Sequence, residues 1–479
     1  MKKAEVVFIP FPGPSHLDST LEFAKLLTNR DKRLRITVLV MKLPYTSESD
    51  VNTKSLPTSD SLDIINLPEV SLPPNIEPTS RMMAFLEAQK SNVKQAVSNL
   101  TTTREKHGTL TAFVVDMFCT KMIDIAKEFS VPTLVFFTSG VASLGSNLHI
   151  HTLRERDNVD SNQLQQQTEL AIPTFANSVP IYSLPSSMLN KEWESFFMNY
   201  AGGLKKANGI IVNSFEELES HAVQSFFSHP DLASLPVIYP AGPIINPEPK
   251  TKGTVGSDDI IKWLDDQPLS SVVFLCFGTR GTFDEDQIKE IAHAIEDSGV
   301  HFIWSLRKPK PKGVAMVAPS DYSLTELGLV LPEGFLDRTA GIGRVIGWAP
   351  QTQILAHPAT GGFVSHCGWN SILESMYFGV PIATWPLFAE QQTNAFQLVH
   401  ELKMAVEIVL DYRVEFNGEP NYLVTADKIE RGIRNVLEKD GEVRKKVKEM
   451  SEKSRKTLLE GGSSYSHLGR LIDFIVNQI

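Results

Sequence analysis

The chain is predicted to be an α/β protein of two doubly wound parallel sheets facing across a cleft. Three observations carry the prediction. Short β-branched runs alternate with amphipathic segments along most of the 479 residues, the rhythm of parallel βα units rather than of a sandwich or bundle. Near the middle a stretch rich in Pro, Gly and Lys, residues 246–256, breaks that rhythm as an interdomain linker does. A second βα series then begins. At about 150 residues per domain the length also allows two or three domains.

Residues 6–10 read as the first buried strand, followed by the turn Pro12-Gly13-Pro14-Ser15. Leu17, Leu21, Ala24 and Leu27 then mark one face of a helix. Further strands are expected at 36–40, 112–115, 133–137 and 210–212, which completes a first domain over 1–245. In the second series the strands are expected at 272–277, 302–306, 345–346, 362–365, 381–384 and 406–409, with helices such as 284–297 and 370–378 between them. That series makes a domain over 257–460, and 461–479 a terminal helix. Two interruptions, 152–167 and 308–330, read as exposed loops. Ligands of doubly wound sheets sit outside the carboxyl ends of the strands, so the loops after strands are the ones to read for chemistry.

Composition narrows the partners. With 42% hydrophobic and 21% charged residues the profile is that of a soluble globular protein, and 46 basic against 56 acidic residues leave a net charge of −10. No footprint for a polyanion exists, so nucleic acid is not expected. Three scattered cysteines, Cys119, Cys276 and Cys367, give neither a disulfide framework nor a Cys-based zinc site and fit a reducing cytosol. Pro10, Pro12 and Pro14 break the first apolar stretch too early for a signal peptide, and no apolar run is long enough to span a membrane. A cytoplasmic monomer is the expectation.

His366-Cys367-Gly368-Trp369-Asn370-Ser371 lies between an expected strand and helix. Its glycine and capping residues place free backbone N–H groups and a positive helix end where an anion can bind. The bland alternative is an ordinary capped helix with a core-packed Trp369. The surrounding run, WAPQTQILAHPATGGFVSHCGWNSILESMYFGVPIATWPLFAEQ over 348–391, closely resembles the signature box of the plant UDP-sugar-dependent glycosyltransferases of small molecules, glycosyltransferase family 1. FIPFPGPSHLDS, VVDMF, FGTRGTF and EGGSSYSHL fit the same family in order, so the resemblance spans the chain. It implies a GT-B pair of Rossmann-like domains, the terminal helix crossing back to the first.

The resemblance also implies roles. His366 would donate to a phosphate oxygen, with Asn370 and Ser371 completing the cradle. Glu374 would accept both ribose hydroxyls, which suits a group that offers only acceptors. Trp348 would stack on uracil and Gln351 touch ribose or base, although such a Trp is otherwise more often a core aromatic. Glu390, Gln391 and Trp369 would hold the hexose, a final Gln being associated with glucose. His16 would be the general base and Asp116 its orienting, charge-balancing partner. Thr138 would place a hydroxyl on the sugar, or is simply a helix N-cap.

Both His16 and Asp116 follow strands of the first half, so they can reach one rim of its sheet. A helix N-terminus is expected to disfavour the imidazolium of His16 and keep the ring neutral. One departure from the family pattern is Gly278-Thr279-Arg280-Gly281, where a Gly-Ser-Met-Gly-like run is usual. Thr279 keeps a hydroxyl for phosphate or sugar; Arg280 either adds a phosphate contact or trims the acceptor space. Asp284-Glu285-Asp286 has the spelling of a metal-binding pair but opens a helix, where it reads as a cap. No metal is therefore expected, and UDP-glucose is a donor substrate rather than a cofactor. No G-x-G-x-x-G joins a strand to a helix and no G-x-S-x-G occurs, which leaves dehydrogenase and serine-hydrolase readings without support. The expected activity is O-glucosylation of small hydrophobic acceptors such as phenolics, flavonoids, terpenoids or hormones. The acceptor is expected around Phe118, 143–147, 185–188 and 196–200.

Overall fold

The computed structural model describes residues 3–43, 59–73, 75–103, 108–247, 257–310, 319–414 and 420–478. The first half is a seven-stranded parallel sheet of β1 (Lys3–Ile9), β2 (Leu34–Val40), β3 (Leu62–Asn66), β4 (Gly108–Asp116), β5 (Thr133–Phe137), β6 (Gly209–Val212) and β7 (Ile238–Pro240). Its strand order is β3-β2-β1-β4-β5-β6-β7. The second half is a six-stranded parallel sheet of β8 (Val272–Cys276), β9 (His301–Ser305), β10 (Gly343–Ile346), β11 (Thr360–Ser365), β12 (Ile382–Thr384) and β13 (Ala405–Glu407). Here the order is β10-β9-β8-β11-β12-β13. Each sheet therefore reverses direction once, between β1 and β4 in the first and between β8 and β11 in the second.

The helices that bear on the site are α1 (Pro14–Arg30), α2 (Pro78–Thr103), α3 (Val141–Asp157), α4 (Glu194–Leu204), α5 (Glu285–Ser298), α6 (Trp369–Phe378), α7 (Gln391–Phe396), α8 (Glu442–Lys456) and α9 (Ser463–Val476). Parallel strands covered on both faces read as continuous apolar runs, and side-chain alternation divides β1 between two cores. Ala4, Val6 and Phe8 pack with Leu21, Phe23 and Ala24 of α1 and with Leu468, Leu471, Ile472 and Ile475 of α9. Val7 and Ile9 face the opposite way, against Val93 and Val97 of α2. In the second sheet Val273 and Leu275 pack on Ile288, Ile291 and Ile295 of α5, while Val272 and Phe274 face Ile372 and Met376 of α6 and Val447 of α8. The chain thus returns in α9 to the first half.

The two expected loops are different. Residues 152–157 are the last turns of α3, which ends at Asn158 in the left-handed region, and Asp160 caps a further short helix, Ser161–Gln165, through a capping box with Gln163. Polar residues there line exposed faces while Arg154 is buried, so the segment is amphipathic rather than irregular. Within 308–330, Arg307–Lys308 pairs antiparallel with Ser320–Asp321 and Leu324–Val330 is helical, capped by Ser323. Residues 311–318 of that segment, and 248–256 of the linker, lie outside the described residues. Asp284 accepts a hydrogen bond from Gln287 N at 2.9 Å and so caps α5.

Candidate active site

Doubly wound sheets bind ligands at the carboxyl ends of strands where the strand order reverses. At the β1/β4 reversal stand His16, in the first turn of α1, and Asp116, the last residue of β4. His16 Nδ1 lies 2.7 Å from Asp116 Oδ2; the carboxylate is fully buried and the imidazole 19% exposed. Asp116 Oδ1 accepts from the Phe118 backbone N–H at 2.9 Å, which fixes the carboxylate plane. Since a carboxylate only accepts, the proton of the neutral ring belongs on Nδ1 and the lone pair on Nε2. Thr138 Oγ1 lies 3.3 Å from the same Nδ1.

The expected direction of the His16 pKa shift, with the imidazolium disfavoured, is corrected. Burial is the largest influence and disfavours the imidazolium, but the charge and hydrogen bond of Asp116, with Glu390 adding and Arg280 subtracting, raise the pKa above the ordinary histidine value. A full charge at hydrogen-bond distance outweighs the partial charge of a helix terminus. Around the ring stand Phe11 and Phe118, with centroids 5.4 and 5.5 Å away, and behind them Tyr200 and Phe196. Of the segments expected to hold the acceptor, Phe118 and 196–200 thus meet beside His16 and Asp116.

At the β8/β11 reversal lies the second half of the site. Helix α6 follows Gly368, which offers no side-chain cap, so among the described residues its first N–H groups have no capping side chain. His366 is 9% exposed, its Nδ1 is buried without a partner, and burial pushes its pKa down to about 4, so the ring is neutral and can donate one N–H. Gly278 after β8 adopts a φ of +73°, and a Cβ there would stand 2.6 Å from His366 Nε2; one on Gly368 would stand 2.5 Å from it. Uncapped helix donors, an orphaned imidazole nitrogen and close glycine backbone suit a diphosphate.

The residues expected to hold the nucleotide converge in part. Gln351 Nε2 donates to Ser371 Oγ at 2.9 Å and to Glu374 Oε2 at 2.8 Å, joining three of the residues predicted from the sequence. Trp348 is 50% exposed, with the Arg307 guanidinium 5.4 Å above its ring, so an aromatic face is presented rather than buried in the core. Thr279 and Arg280 are exposed in the loop after β8. Glu390 sits just before α7, and burial raises its pKa while His16 opposes that shift.

Two predicted residues, Trp369 and Asn370, are placed differently from their expected roles. The Trp369 indole is buried and donates to Asn213 O of the first half at 2.6 Å, the core-packed alternative. The Asn370 side chain donates to Ser19 Oγ of α1 at 3.0 Å and so bridges the halves rather than pointing into the cradle. Gln391 Oε1 accepts from Leu387 N and Phe388 N at 2.9 and 3.0 Å, which leaves its amide N–H groups as the donors. Unread in the sequence were Asn213, Arg307 and Glu219. The first two follow strands β6 and β9, so the rule that led to His366 also pointed at them.

Comparison with known proteins decides the family. Residues 258–411 match the family model described as UDP-glucoronosyl and UDP-glucosyl transferase. A UDP-glucose flavonoid 3-O-glucosyltransferase of Fragaria ananassa is 52% identical over 489 residues, covering 99% of each chain. The chain belongs to this family. It is a UDP-glycosyltransferase of the plant family 1 type, with the GT-B arrangement of two parallel-sheet domains. A UDP-glycosyltransferase of Malus domestica is 50% identical over 99% of this chain and 100% of its own length. Among solved structures, a Siraitia grosvenorii UGT in complex with UDP superposes with a TM-score of 0.88 at 46% identity, over 99% of this chain and 100% of that one. A Medicago truncatula UGT complexed with UDP-glucose does so with a TM-score of 0.84 at 39% identity, over 99% and 98%. Among the described residues no helix is long and apolar enough to cross a membrane.

Proposed function

We propose that this glycosyltransferase is an inverting UDP-glucose-dependent O-glucosyltransferase of small hydrophobic acceptors, the first half holding the acceptor and the second the donor. The observation that carries the reading is the 2.7 Å bond from His16 Nδ1 to buried Asp116, which leaves Nε2 as the ring nitrogen able to take a proton. The acceptor hydroxyl gives its proton to His16 Nε2 while its oxygen attacks the anomeric carbon. The bond from that carbon to the β-phosphate oxygen breaks, its electron pair leaves with UDP, and the configuration inverts from an α-linked donor to a β-glucoside. Asp116 balances the imidazolium that forms. His366 and the N-terminus of α6 meet the developing phosphate charge with donors already in place.

Support for glucose comes from Gln391 and from the relatives named for UDP-glucose; support for phenolic acceptors comes from the Fragaria enzyme and from an anthocyanidin 3-O-glucosyltransferase of Manihot esculenta, 47% identical over 95% of this chain. The aromatic wall of Phe11, Phe118, Phe196 and Tyr200 fits a flat ring. The test is mass spectrometry on the purified protein with UDP-glucose, UDP-galactose and a panel of phenols, flavonols and terpenoid alcohols, with a chelator present. Gain of one hexose from UDP-glucose on a phenolic acceptor is expected; silence across the panel, or transfer that dies with the chelator, overturns the reading. His16→Ala is expected to lose on the order of 10²–10⁴-fold in kcat with UDP-glucose affinity retained.

A further inference from the structure

Helix α7 continues through a wider turn, Gln397–Glu401, and the polar side chains along this run reach into both halves. Asn394 Nδ2 donates to Cys367 O at 3.0 Å, inside the turn that carries the diphosphate cradle. Thr393 donates to Ser183 O, and Glu401 accepts from Ala176 N and Asn177 N at 2.9 and 3.0 Å, all in the first half. Between them Gln397 Nε2 donates to Glu219 Oε1 at 2.8 Å.

Glu219 is 2% exposed and has no ion-pair partner among the described residues. Its oxygens accept instead from Val141 N at 2.7 Å and Ala142 N at 2.9 Å, the first donors of α3, and from the hydroxyl of Ser214. The positive end of a 17-residue helix and dipolar donors take the place of a counter-ion. Thr138, which shares His16 Nδ1 with Asp116, lies in the turn that leads into that helix. Within the turn, a Cβ on Gly140 would stand 2.7 Å from the Trp369 ring and 2.8 Å from Glu219 Oε1, so here the halves touch with no space left. One carboxylate therefore ties the turn bearing Thr138 to the helical run that begins at Gln391.

We propose that Glu219 is a positioning residue for glycosyl transfer, holding the His16–Thr138 edge of the first half at working distance from the donor half. The proposal rests on the assignment of acceptor and donor to the two halves. A glutamine in its place keeps the volume but offers one acceptor where three protein N–H groups converge, and its own amide hydrogens face Gln397 or the helix end.

The test is steady-state kinetics with UDP-glucose and a flavonol. For Glu219→Gln the expected result is a kcat lowered by about 10–100-fold, the scale that misplacement of reacting groups by about 1 Å produces, with KM for UDP-glucose unchanged. A purely structural cap would lower Tm and leave kcat per folded molecule alone. The exchange Glu219→Gln/Gln397→Glu restores the bond between the halves with donor and acceptor reversed, and is expected to recover most of kcat. Gln397→Leu breaks the bond from the other side without touching α3 and is expected to reproduce the loss, whether or not Glu219→Gln folds. Wild-type kcat in Gln397→Leu, or a Glu219→Gln defect that the exchange does not relieve, overturns the assignment. A wild-type protein that transfers no glucose overturns the glucosyltransferase reading, and this assignment with it.

Discussion

The imidazole of His16 sits where burial pulls one way and the carboxylate of Asp116 the other, and the carboxylate prevails. A general base works only when neutral, so if His16 has the proposed role the rate is expected to rise with pH through a value above the ordinary histidine range. Asp116→Asn removes the charge that stabilises the imidazolium and leaves burial unopposed. The acid limb of kcat/KM should then move to lower pH while the plateau falls on the order of 10²–10⁴-fold, because the ring loses its orienting partner. Arg280 opposes protonation of His16, so Arg280→Gln is expected to move the limb to higher pH with donor KM unchanged. A pH–rate profile of the two variants checks both signs, and limbs that move together would refute the charge assignment. The pairing of His16 with Asp116 was implied by the family resemblance, and their places at strand ends of one sheet showed only that both could reach the same rim. The sign of the pKa shift was not legible, since it depends on a 2.7 Å separation that no spacing in the sequence encodes.

Among the elements, the strand-to-helix turn at β11 and α6 depends on a neighbour from another loop. Gly278 has a left-handed φ of +73°, and its missing Cβ leaves the room that His366 occupies. Gly278→Ala is expected to push that ring from the helix end and to raise the Kd for UDP at least about 10-fold, which is about 1.4 kcal/mol, while the left-handed φ costs the fold about 1–2 kcal/mol; isothermal titration with UDP and a thermal melt check it. The buried central strands were legible as apolar runs. β3 and β7 were not, because edge strands show weaker patterns: β3 is only partly buried, and β7 has three residues ending in Pro240. The last turns of α3 were read as part of a loop from residue 152 because their outer face is polar, while the inward Arg154 mimics a loop residue. In Trp369 and Asn370 a functional motif and an interface coincide, and the sequence pattern shows only that both matter.

For the molecule as a whole, the halves are joined by more than the chain between them. Trp369 reaches Asn213 O, Asn370 reaches Ser19, and Arg413 donates to Tyr182 O and Leu184 O at 2.8 Å. After α8, buried in the second half, the chain crosses to α9 in the core of the first, pinned at the crossing by Ser464 on Gly242 O and by Arg30 stacked 3.7 Å over Tyr465. Such interlocking is expected to make the two halves unfold as one cooperative unit. Leu471 is fully buried against the first sheet, so Leu471→Ala is expected to cost about 2–5 kcal/mol. UDP at about 100 times its Kd adds about 2.7 kcal/mol to any state that must unfold together with its site. If the halves are one unit, calorimetry of Leu471→Ala shows a single transition at lowered Tm, and UDP recovers a large part of the loss although the cavity lies in the other half. Two transitions, of which UDP moves only one, would mean that the contacts across the cleft hold the halves in register without coupling their stability.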